Sequence, residues 1–95
     1  MSGQVDPVKL LLKWFWLEHR ITQLSMEITS LDNEHAAKRR AVLEDPSKTV
    51  ADLKALDEEY RSKRQALDAE RAKIGEELLK LRGEIARVAE EQGAV

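Results

Sequence analysis

The sequence predicts an all-α chain: a long antiparallel helical hairpin of the coiled-coil type, assembled with copies of itself into a helical bundle. Composition is the first sign. Of 95 residues, 36% are charged and 42% apolar, and the aromatics amount to two Trp, one Tyr and one Phe. Ala, Glu, Lys, Leu and Arg dominate, as they do in long helices. The second sign is a heptad spacing of apolar residues that runs without a slip through the first third of the chain. The third is punctuation: with two prolines and four glycines there are few places where a helix must stop, and Pro46 falls near the middle. A chain of this length makes one domain, read as residues 1–95.

The first helix is expected over about residues 6–44. Asp6-Pro7 is a helix start, with Asp as the N-cap and Pro at the first helical position. From there Leu10, Leu17, Leu24 and Leu31 take the d positions of the heptad, and Trp14, Ile21 and Ile28 the a positions. His35 then falls at a and Lys38 at d before Val42 returns at a. The seam turns polar as it approaches Pro46.

Glu44-Asp45-Pro46-Ser47 breaks the pattern, so the turn is placed at about 45–48. Proline pushes the residue before it out of the helical region, and Asp, Pro and Ser favour turns. Ser47 or Thr49 can cap the second helix, expected over about 49–92, with Asp52 in its positive first turn and Gly93 as the stop. Its d positions are Leu53, Tyr60, Leu67, Ile74, Leu81 and Val88; its a positions are Val50, Asp57, Arg64, Arg71, Leu78 and Ile85. Charge in the middle of this seam thins it, and pairs such as Glu59–Lys63 add only ~0.2–0.5 kcal/mol each.

A short connection favours antiparallel neighbours. Folding at Pro46 sets Ile28 level with about Gln65, Lys38 near Asp57 and His35 near Glu58. The competing architecture is one helix running through Pro46 in a long parallel dimer. The proline and the charged second seam argue against it.

The chemistry-bearing residues are few. Trp14, Phe15 and Trp16 stand side by side; Trp14 belongs to the seam, whereas Leu12, Phe15, Trp16 and Met26 point to the opposite side of the first helix. Something beyond the second helix must cover them. The intramolecular seam is read as Leu10, Trp14, Leu17, Ile21, Leu24, Ile28 and Leu31 against Leu67, Ile74, Leu78, Leu81, Ile85 and Val88. The protein interface is read as Leu12, Phe15 and Trp16, large rigid side chains of the type that anchor interfaces. The first partner expected is a second copy, as dimer or tetramer, with a larger protein partner as the other occupant of that face.

Other chemistries fit the sequence poorly. Asp32-x-x-His35 has the spacing of helical carboxylate–histidine metal sites, but it lies near the turn and has Asp in place of Glu, so no metal ligand is assigned. No glycine-rich phosphate loop and no nucleophile–base pairing is present, so no catalytic or cofactor-binding residue is assigned and no cofactor is expected. Net charge is −2, against a nucleic-acid partner, although Lys38, Arg39 and Arg40 form the one basic cluster through which such a role would run. A membrane surface is disfavoured because Glu18 and Glu27 follow the tryptophans. The apolar run Leu10–Leu17 is too short to span a bilayer, and the expected location is the cytoplasm. The expected function is a non-enzymatic scaffold, adaptor or small protein-binding module; the alternative is a nucleic-acid-associated small protein.

Overall fold

A computed structural model describes residues 6–93, and among them the fold is a two-helix hairpin with no strands. Helix α1 spans Pro7–Glu44, 38 residues, and helix α2 spans Val50–Glu91, 42 residues. The boundaries follow from local chemistry. Asp6 caps α1 by accepting the backbone N–H of Val8 on its Oδ1 at 2.9 Å. Asp45 ends the element by taking both the backbone N–H of Ser47, at 2.9 Å, and its hydroxyl, at 2.6 Å. Ser47 is thereby engaged in the turn, and Thr49 caps α2. The Thr49 N–H donates to Asp52 Oδ2 at 2.8 Å, while Thr49 Oγ1 accepts the Asp52 N–H at 3.4 Å, a reciprocal capping box. At the other end Gly93 takes φ of +67°, the left-handed conformation that closes a helix and favours glycine.

The chain divides into two compact units. Among the described residues a terminal unit pairs 6–23 with 72–93, and a turn unit comprises Leu24–Arg71. In the terminal unit Leu10 and Leu17 of α1 and Ile74 and Leu81 of α2 are buried. Both helices contribute, so a continuous apolar seam joins them. Trp14, Ile21, Leu78, Ile85 and Val88 are half-buried around it. The Arg82 guanidinium lies 5.8 Å from the centre of a Trp14 ring, covering with a cation what the thin second helix cannot cover with carbon.

The turn unit is built differently. Its buried apolar residues, Leu24 and Ile28, both belong to α1, and Leu24 is completely covered. Leu31, Leu53, Leu56 and Leu67 are only half-buried. Polar contacts between the helices take over the rest. The Tyr60 hydroxyl donates to Asp32 Oδ1 at 2.6 Å, and Arg64 Nη1 reaches the two oxygens of the same carboxylate at 3.3 and 3.2 Å. His35 Nε2 donates to Asp57 Oδ1 at 2.8 Å, and its ring stacks on Tyr60 with centroids 4.0 Å apart. Lower residues of α1 thus meet higher residues of α2, as antiparallel helices require.

Three expectations of side-chain placement are corrected in this unit. His35 pairs with Asp57 and not with Glu58, because Asp57 occupies the seam position and Glu58 is exposed beside it. Lys38 does not meet Asp57; it bridges to Glu34 one turn back at 2.7 Å, and Arg39 approaches Asp57 at 3.5 Å. Val50, assigned to the seam by the heptad, is 70% exposed. It is the first residue of α2, directly after the exposed turn residues 46–49.

Candidate interaction surface

The surface in question is the side of α1 in the terminal unit that faces away from α2. Its geometry follows from helical spacing: with Leu10, Trp14, Leu17 and Ile21 turned to the seam, residues half a turn away must face outward. Leu12, Phe15 and Trp16 are 63%, 67% and 63% exposed. Val8 and Leu11 extend the same patch, and Leu79 is the large exposed apolar side chain that α2 adds among the described residues of this unit. Sequence reasoning missed Val8 and Leu11. The signal was available, since Val8, Leu12 and Phe15 repeat the four-and-three spacing of the seam on the opposite side of the helix.

Trp14 and Trp16 therefore differ in environment although they are two residues apart. Trp14 is half-buried and engaged by Arg82; Trp16 is bare. The remaining seam residues named from the sequence are all buried or half-buried, Leu24, Ile28, Leu31 and Leu67 within the turn unit and the rest within the terminal unit.

The turn unit holds the polar alternatives. Lys38, Arg39 and Arg40 are exposed, but Lys38 is tied to Glu34 and Arg39 faces Asp57, so two of the three cations already sit beside carboxylates of this chain. Asp32 is engaged by Tyr60 and Arg64 instead of being presented with His35 to a shared ligand. Among the described residues no group of three His, Cys, Asp or Glu side chains is placed to hold a metal ion. The contacts leave an electrostatic imprint. The hydroxyl bond from Tyr60, supported by Arg64, holds the Asp32 carboxyl below the usual carboxylate range, and the same bond raises Tyr60. Asp45 is lowered by the Ser47 hydroxyl and N–H, and Asp52 by the Thr49 N–H.

A shallow groove crosses the turn unit, floored by Met26, Leu31, Ala66 and Leu67. Glu34 and Lys63 stand at its rim, each already in an i,i+4 ion pair, with Lys38 and Glu59 respectively. No described helix is long and apolar enough to cross a membrane. Comparison with known proteins gave no match to any family model, curated protein or solved structure.

Proposed function

We propose that this chain is a non-enzymatic, self-associating helical hairpin that serves as a scaffold or adaptor, its copies meeting through the outward face of α1 around Leu12, Phe15 and Trp16. One observation carries the reading: three large apolar side chains stand together in water on a helix whose other side is already packed. With Val8 and Leu11 they leave on the order of 500 Å² of apolar surface uncovered, near the top of the ~300–600 Å² found for the largest patch on a typical monomer. Two such patches facing one another would bury about 1,000 Å², roughly where specific interfaces begin. A dimer or a tetramer follows according to whether Leu79 also takes part. The proposal places the protein in the cytoplasm, where such a module would hold copies of itself, or a larger partner, at a fixed spacing.

The test is the mass of the chain in solution with and without the patch. Phe15→Glu with Trp16→Glu should leave the circular dichroism helical and reduce the mass to a smaller species, because unpaired carboxylates would have to be buried at the contact. If the double variant keeps both mass and melting temperature, self-association through this face is wrong.

A further inference from the structure

Building on the self-association reading, we infer that the second copy lays its own α1 against this one, parallel and in register, along the stripe Val8-Leu12-Phe15-His19-Thr22. These residues recur at intervals of four, three, four and three, the 3.5-residue repeat of helices that wind around each other. All five are exposed, and none is an acid, a lysine or an arginine. The contact must join α1 to α1. A two-fold interface uses the same patch on both copies, and in the terminal unit the large exposed apolar residues are Val8, Leu11, Leu12, Phe15 and Trp16 of α1 against Leu79 alone of α2.

The polar members of the stripe are compatible with being covered. The Thr22 hydroxyl donates to the Glu18 carbonyl at 3.1 Å, so closing another helix over it orphans no donor. A neutral His19 can donate its ring N–H to the bare ring nitrogen of the His19 opposite, one hydrogen bond for the pair.

Direction is decided by which neighbours each arrangement creates. In a parallel, in-register pair every layer matches itself: Val8, Leu12 and Phe15 make apolar layers, His19 and Thr22 polar ones. The flanks match as well. Leu11 falls beside Trp16 of the second copy, and Glu18 falls beside Gln23, following the usual pairing of one flank with the other five residues on. An antiparallel pair brings each flank against itself. With Leu12 opposite Phe15, Trp16 meets Lys9 and Leu11 meets the Glu18 carboxylate; one heptad further along, Glu18 meets its own copy. Apolar-to-charge and like-charge neighbours disfavour both registers.

The chain has no cysteine, so single introduced thiols report the register cleanly. Val8→Cys and Thr22→Cys, each made in the full chain, should form disulfide-linked dimers under mild oxidation, because equivalent positions of the stripe would lie within bonding distance in a parallel pair. Lys80→Cys, on the exposed side of α2, serves as the collisional control. Both stripe variants should cross-link roughly tenfold faster than the control or more, as expected when association raises the effective thiol concentration. Assemblies of full mass in which neither stripe variant outpaces Lys80→Cys would overturn the parallel register while leaving self-association standing. A chain that light scattering finds monomeric overturns both.

Discussion

The terminal and turn units are made by the same two helices and solve the same packing problem with different materials. In the terminal unit both helices bury aliphatic side chains, Leu10 and Leu17 against Ile74 and Leu81. In the turn unit buried carbon comes from α1 only, and α2 contributes Asp57, Tyr60 and Arg64 to hydrogen bonds with Asp32 and His35. Aliphatic burial is strong and tolerant of sliding, since one leucine fits a neighbouring hole nearly as well as another. Directed polar contacts are weaker but have one correct partner. We read the polar half as setting which residues face each other and the apolar half as supplying most of the stability, in line with the known use of polar seam residues to specify register.

The largest effect should come from emptying the apolar seam. Leu17→Ala or Leu81→Ala should cost ~2–5 kcal/mol, the usual range for deleting a buried leucine side chain, and should lower the thermal midpoint of the whole chain. If either costs no more than an exposed substitution such as Leu79→Ala, the terminal unit is not the stabilising half. The polar seam should respond less and in a coupled way. Asp32→Ala and Tyr60→Phe remove the acceptor and the donor of the same hydrogen bond, so the double variant should melt little lower than the worse of the two singles. Strict additivity would mean that the contact has no energetic content.

Acid should sharpen the contrast. Asp32, Asp45 and Asp52, all in the turn unit, are held below the ordinary carboxylate range by hydrogen bonds made only in the folded state. The stabilisation from groups lowered on folding is complete above their unfolded pKa, about 4 for aspartate, and disappears as pH falls through the lower folded value. Amide exchange read at neutral pH and again below about pH 4 should show protection falling more over residues 34–60 than over 10–21 and 74–88. An equal loss along both helices would remove the distinction. The smallest effect is expected at the turn itself. A short glycine–serine insertion after Lys48 leaves the Asp45–Ser47 contacts and the Thr49–Asp52 capping box intact, and loop closure costs only about 0.6 kcal/mol per doubling of length. A collapse of helicity on insertion would show the connection to be far more constrained than its exposure implies.

What the sequence determined by itself was whatever depends on near neighbours along the chain. Asp6-Pro7, Asp45-Pro46 and Thr49-x-x-Asp52 act over a few residues, so the two helices and their ends were readable. The seam from Leu10 to Ile28 was readable too, because a heptad is a local periodicity. What only the tertiary structure decided was which side chains met across the gap. A seam position tells a residue to face the other helix, but the level at which it arrives depends on the turn and on how far each helix reaches past it. That is why His35 met Asp57 in place of Glu58, and why Lys38 folded back onto Glu34. Val50, at the first turn of α2, stayed exposed although its heptad position faces α1. The bare face of Phe15 and Trp16 belongs to both accounts: periodicity turned it outward, and the packed seam left α2 with nothing to spare to cover it.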